Sequence, residues 1–180
     1  MSESKHGLAL QDLGELSALG ASCAANALGL ILGRDVVAGA SRQVDAERYR
    51  PSVNWSTGVI FEADGVLSGL VAILLPAPSP ATLAALAVGD RQDGNLESAL
   101  RELGNIVASH TVSAIADDLG GSILLSVPTL VMDGADRFLV TLAGEHQAAY
   151  CFESDLFGSD GERVAALVFV PEFALAENSA

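Results

Sequence analysis

The chain has 180 residues, 50% of them hydrophobic, and its 23 acidic against 9 basic side chains give a formal net charge of −14. That length suits one globular domain with a sizeable core, and that apolar content excludes a disordered chain. The acidity argues against a nucleic-acid backbone or an anionic membrane as the main partner. Two cysteines, Cys23 and Cys151, are too few for a disulfide framework.

The N-terminal stretch Met1 to His6 is polar and carries no apolar run, so no signal peptide is expected. From Leu8 to Leu32 the pattern is helical and rich in Ala and Gly, with Gly33 as its stop. Small residues such as Gly14, Ala18, Ala21 and Ala25 would let another backbone approach closely, and Cys23 reads as one more small hydrophobe there. Val36 to Ala40 reads as a short buried strand, followed by a polar loop from Arg42 to Arg50. A hairpin follows, with Gly58 to Phe61 in its first arm, Asp64-Gly65 at the turn and Gly69 to Leu75 in its second arm. Trp55, the single tryptophan, reads as a packing residue beside it. The window from Gly65 to Val88 is apolar enough to raise a membrane span, but Pro76, Pro78 and Pro80 interrupt it. A buried strand, a stiff connector from Pro76 to Pro80 and a short helix from Ala81 to Val88 fit it better.

The second half repeats this plan. A long helix, capped by Asp93 or Asn95, is expected from Leu96 to Leu119, with Gly120-Gly121 as its stop and a strand from Ile123 to Val127 after it. Beyond the Asp133-Gly134 turn, Phe138 to Leu142 and Ala148 to Phe152 read as strands; the Asp160-Gly161 turn then leads to a strand from Val164 to Val170, ended by Pro171. A shift of 87 residues places Glu15 on Glu102, Leu32 on Leu119 and Gly33 on Gly120, and a shift of 95 places Pro76 on Pro171. The expected architecture is one α+β domain over residues 1–180, internally duplicated as halves of about 8–88 and 95–175. Two long helices would lie about a pseudo-twofold axis on one face of a largely antiparallel sheet.

On a helical wheel Leu96, Ala99, Leu100, Leu103, Ile106 and Val107 share one side. Ser98, Glu102 and Asn105 fall within about 60° of one another on the opposite side. A rigid helix thus holds a carboxylate and a carboxamide one turn apart, facing away from its own apolar stripe. On spacing alone a solvated face is the better reading.

The residue identities go further. Ser98-x3-Glu102-x2-Asn105, with Pro128 after a gap of 22 residues, resembles the signature of the CheC/CheX/FliY family, and so do the flanks Glu102-Leu103-Gly104-Asn105-Ile106 and Ser126-Val127-Pro128. The resemblance implies a CheC-like fold, a cytoplasmic chemotaxis or two-component signalling protein, and phosphatase (hydrolase) activity toward a phosphorylated CheY-like response regulator. It implies no cofactor of the chain's own, with Mg²⁺ expected on the response regulator. Asn105 would then orient the attacking water, because a carboxamide offers both a donor and an acceptor without charge. Glu102 would dock the regulator's active-site lysine through a charge-assisted pair; a general-base role is the alternative. Ser98 either contacts the partner or caps locally, and Pro128 shapes a strand end beside the site.

The first half departs from the pattern. It keeps Glu15 but has Ala18 at the asparagine position, Gln11 at the Asp/Ser position and Ser41 at the proline position. Alanine has no amide to hold water, so a single working site is expected. The runner-up function is a non-catalytic module binding a response regulator, a CheD-type deamidase or a flagellar switch complex; no flagellar surface-binding domain accompanies the chain, which disfavours the FliY-type member. A homodimer stays open. His6, His110 and His146 lack metal-ligand spacing, His110 reads as a core residue on the apolar side of its helix, and Cys151 has no basic neighbour to activate it. Asp117 and Asp118 oppose the dipole of their helix without an evident purpose.

Overall fold

The computed structural model describes residues 8–49, 55–76 and 96–172. The expected helix from Ala81 to Val88, the connector beyond Pro76 and the Asp93 or Asn95 cap lie outside the described residues.

The first helix, α1 (Leu10–Leu32), ends at Gly33 in the left-handed region at φ 63°, a conformation that costs glycine nothing. At its start the Asp12 carboxylate accepts the Ala9 N–H at 3.1 Å, an acid in the first turn where the dipole favours it. Two short strands follow, β1 (Val36–Ala38) and β2 (Arg42–Asp45), then a 3₁₀ turn over Ala46–Arg48. The polar stretch from Arg42, expected as loop, therefore begins with a strand: it pairs antiparallel with Tyr150 to Glu153. The expected hairpin forms from β3 (Trp55–Gly65) and β4 (Gly69–Pro76), in register from Thr57 opposite Leu75 to Ala63 opposite Gly69. However, Asp64 and Gly65, expected as its turn, continue β3 and pair with Leu124 and Ile123, so the chain turns at Val66 to Ser68.

The second helix, α2 (Leu96–Leu119), leads to β5 (Ile123–Leu125) and β6 (Thr129–Val131). A third helix, α3 (Ala135–Glu145), then precedes the long pair β7 (Tyr150–Gly158) and β8 (Arg163–Pro171). The expected strand over Phe138 to Leu142 is thus corrected to helix. The reason is burial: Ala135, Leu139 and Ala143, four residues apart, point into the core, a helical period that the apolar run Phe138 to Val140 hides. Likewise the strand after α2 stops at Leu125, so that Ser126, Val127 and Pro128 form a link.

The strands make one antiparallel sheet in the order β1-β7-β8-β4-β3-β5, with β2 also on β7 and β6 also on β3. Exchanging the two halves maps this order onto itself read backwards. The shift of 87 carries β1 onto β5 and α1 into α2, and the shift of 95 carries β4 into β8.

Two cores sit on the two faces of the sheet. On one face α1 and α2 pack together and onto the strands, burying Leu13, Leu28, Leu100, Leu103, Phe61 and Phe152 among others. Gly20 of α1 lets the helices approach, since a Cβ there would lie 3.0 Å from Thr111 and 3.1 Å from Ile115. The other face is covered too, which the sequence reading did not anticipate. There α3 and the 3₁₀ turn close over Trp55, Ile60, Leu70, Leu74, Cys151 and Val168. Trp55 is fully buried, in line with a packing role.

α2 packs closely on the sheet at Gly104, where a Cβ would lie only 2.5 Å from Val59 Cγ1 and 2.7 Å from its Cβ. Val59 is β-branched and fully buried, so it has nowhere to move. Gly104→Ala should therefore destabilise the protein by about 1–3 kcal/mol through overpacking, despite alanine's better helix propensity. Chemical denaturation of the two proteins measures this directly.

Candidate active site

The site is built on the N-terminal half of α2. Leu100, Leu103, Gly104 and Val107 are buried against the sheet, so the residues between them are turned to solvent. Ser98, Glu102 and Asn105 are all exposed. Among the described residues, no side-chain hydrogen bond or ion pair within the chain engages any of the three. An acid and an amide one turn apart are thus held by a rigid backbone, with their donors and acceptors free.

Pro128 stands beside them. Its carbonyl accepts a hydrogen bond of 2.6 Å from Arg101 Nη1, which ties the link after β5 to α2 immediately next to Glu102. The preceding Ser126 is fastened to β3: its N–H donates to the Glu62 carbonyl at 2.8 Å and its Oγ accepts the Glu62 N–H at 2.9 Å. Sequence reasoning named Pro128 but missed Arg101. The signal was present, since Arg101 flanks Asn105 on the wheel, but its partner is a backbone carbonyl far along the chain.

Two expectations along α2 are corrected. Ile106, assigned to the apolar stripe, is 39% exposed. His110, expected in the core, is exposed one turn further on. The buried residues of α2 include Gly104, Ala108, Thr111 and Val112, so the covered face is rotated away from the sector that holds Ile106 and His110.

In the first half Glu15 and Ala18 are exposed at the corresponding places on α1. Gln11 Nε2 donates to Glu15 Oε1 at 3.4 Å, so that carboxylate already has a weak local partner. Ser41 Oγ donates to Ser17 Oγ at 3.0 Å, joining link to helix where the second half uses Arg101 and Pro128. No amide is present at Ala18.

An open groove of about 380 Å³, lined by Glu62, Asp64, Ser126 and His146 among others, does not include Glu102 or Asn105. Both are exposed on the helix surface. Among the described residues no group of three or more His, Cys, Asp or Glu is placed to hold a metal ion.

Two buried carboxylates and Cys151 lie on the opposite face of the sheet. Glu153, almost fully buried, is paired with Arg42 at 3.0 Å, and Asp155 with Arg163 at 3.1 Å. Burial, reinforced by Glu153 and Asp45, pushes the Cys151 thiol up to about 12. Burial first, then Glu153, also raises the Tyr49 hydroxyl. A raised thiol is a poor nucleophile, so Cys151 is a packing residue. Cys23 is half-buried on α1, less enclosed than its small-hydrophobe reading implies.

Residues 97–132, which span α2, β5 and β6, match the model of the CheC-like family. No curated relative matches its sequence. Among solved structures it is similar to the chemotaxis protein CheX from Desulfovibrio desulfuricans, at 14% identity over 88% of this chain and 99% of that one, with a TM-score of 0.67. FliY from Thermotoga maritima matches at 17% identity over 95% and 91% of the two chains, with a TM-score of 0.61. CheX in a complex with CheY, BeF₃ and Mg²⁺ from Borrelia burgdorferi matches at 14% identity over 86% and 96%, with a TM-score of 0.57. At these identities the likeness establishes a shared α+β CheC-like fold, and the matched segment carries the Glu102 and Asn105 helix.

One consequence of the buried groups is an alkaline limit on stability. Cys151 stays protonated in the fold after its unfolded counterpart, at 9.0, has ionised. The unfolded chain then holds fewer protons, so stability falls as pH rises through that point. The melting temperature should decline between pH 9 and 12, and Cys151→Ala should remove part of that decline.

Proposed function

We propose that this chain is a phosphatase of a phosphorylated CheY-like response regulator, acting in the cytoplasm in chemotaxis or a related two-component pathway. The observation that carries the reading is the pair Glu102 and Asn105: exposed, unengaged within the chain, and held on a helix that is itself locked to the sheet at Gly104. The CheX–CheY complex of Borrelia burgdorferi supports the choice of partner, since it joins a protein of this fold to CheY.

In this reading the substrate is an aspartyl-phosphate. Water attacks phosphorus in line with the leaving aspartate oxygen; the P–O bond to that oxygen breaks, and aspartate carboxylate and inorganic phosphate are released. The transition state is loose, so positioning the water matters more than removing its proton early. The Asn105 carboxamide oxygen accepts a hydrogen bond from that water, which fixes it at the phosphoryl group. The metal ion in this reading belongs to the regulator.

Glu102 supplies a negative charge one turn away, placed to pair with a cation on the regulator. The resulting contact aligns Asn105 with the phosphoryl group. Ser98, a further turn back on the same stripe, extends the contact surface. The α1 face keeps an acid at Glu15 but has no amide at Ala18, and it is assigned no hydrolysis.

Asn105→Ala should lower the acceleration of dephosphorylation about 100-fold or more while leaving binding intact. Glu102→Ala should instead raise the regulator concentration needed for half-maximal rate about tenfold, with the maximal rate largely kept. Time courses of phosphate release from a phosphorylated CheY-like protein, run over a range of concentrations, separate the two. Tight binding with no acceleration by the unaltered chain would make it a docking module instead.

A further inference from the structure

Val127 is 86% exposed, more than any other large hydrophobic side chain among the described residues. It is not on a loose loop. On its N-terminal side Ser126 is fastened to Glu62 by two hydrogen bonds, and the Ser126 hydroxyl donates to the Val127 carbonyl at 3.1 Å. On its C-terminal side the Pro128 carbonyl is held by Arg101 at 2.6 Å, and the proline ring restricts the backbone further. A β-branched apolar side chain is thereby presented to water by a backbone tied on both sides. Rigid presentation lowers the entropy lost on association, and apolar area so presented is released from water only when something covers it.

The location selects the occupant. Arg101 is one residue from Glu102 and one turn from Asn105, and on the wheel it lies on the Asn105 side of the exposed stripe. The link it holds therefore borders the same surface as the acid and the amide. We propose that the Ser126–Pro128 link is a docking edge for the response regulator: Val127 packs against apolar surface beside the regulator's phosphoaspartate, and Arg101 is the positioning residue that holds the edge at its working depth. This rests on the phosphatase reading for the identity of the partner. Half-exposed Ile106, on the far side of Glu102, flanks the stripe from the other edge.

The test measures both affinity and turnover, using CheY-like response regulators of the same organism. Affinity is read by calorimetry with the regulator carrying beryllofluoride and Mg²⁺, the beryllofluoride standing for the phosphoryl group. Turnover is read as phosphate release. Val127→Asp should weaken affinity about tenfold or more and raise KM equally, with kcat unchanged, whereas Val127→Leu should keep affinity near the starting value. Arg101→Ala should weaken affinity in the same direction as Val127→Asp, and Arg101→Lys should restore part of the loss. Leu124→Asp serves as the control: Leu124 is 72% exposed on β5 but alternates away from Ile123 and Leu125, which pack on the α1 and α2 side. It should change neither quantity.

If the unaltered chain hydrolyses and Val127→Asp leaves both KM and affinity unchanged, the docking edge is wrong and the phosphatase reading stands. If the chain binds the regulator without hydrolysing it and Val127→Asp abolishes that binding, the edge stands and the phosphatase reading falls. Failure of the unaltered chain to bind or hydrolyse any such regulator overturns both.

Discussion

The close approach of α2 to β3 at Gly104 is the constraint from which the rest of the site follows. With no side chain at that position, the helix backbone comes close to Val59, a residue that cannot yield because it is itself enclosed. The approach sets the rotation of α2 about its axis. Leu103 and Val107 are then committed to the core, and Glu102 and Asn105 to the surface. Asn105 follows Gly104 directly, so the placement of its amide depends on a contact made one residue earlier.

The second half of the chain adds what the first half lacks. Both halves join the link after their first short strand to the long helix through one hydrogen bond, Ser41 to Ser17 in one and Arg101 to Pro128 in the other. The serine pair is short and draws its link inward, since Ser17 is buried. The arginine reaches further and grips a backbone carbonyl, leaving Val127 standing free. In the second half Glu102, Asn105 and the anchored Val127 border one surface, whereas on α1 Ala18 stands where Asn105 stands on α2 and Glu15 takes Gln11 as a local partner. The two faces of the sheet also differ in kind. The α1 and α2 side carries the candidate chemistry outward, while on the other side the carboxylates of Glu153 and Asp155 are buried and paired with Arg42 and Arg163.

Much of this was legible in the residues. The limits of α2, Leu96 and Leu119, and the outward direction of Ser98, Glu102 and Asn105 follow from a strong helical period and a Gly-Gly stop. The two arms of the hairpin were legible from their apolar runs, although its turn was placed two residues early at Asp64-Gly65. Where the reading failed, the competing signal was local and apolar. Phe138, Leu139 and Val140 look like a strand, and only the spacing of Ala135, Leu139 and Ala143, small residues easily passed over, betrays α3. Val127 was absorbed into a strand because it continues the apolar run from Ile123, and the hydrogen bonds that end that strand at Leu125 come from residues distant in sequence. Ile106 and His110 were misplaced because a wheel has no knowledge of which neighbour, helix or sheet, covers each sector.

The central claim, that an uncharged amide on α2 holds the water that hydrolyses a partner's acyl phosphate, is tested most directly by the pH dependence of acceleration. Single-turnover phosphate release from a phosphorylated CheY-like regulator would be followed with and without saturating chain, and the ratio of the two rates taken across the acidic to neutral range. An amide does not titrate there, so the account predicts a large ratio that stays flat with pH. A ratio near one throughout, or one that rises as a carboxylate loses its proton, would contradict it.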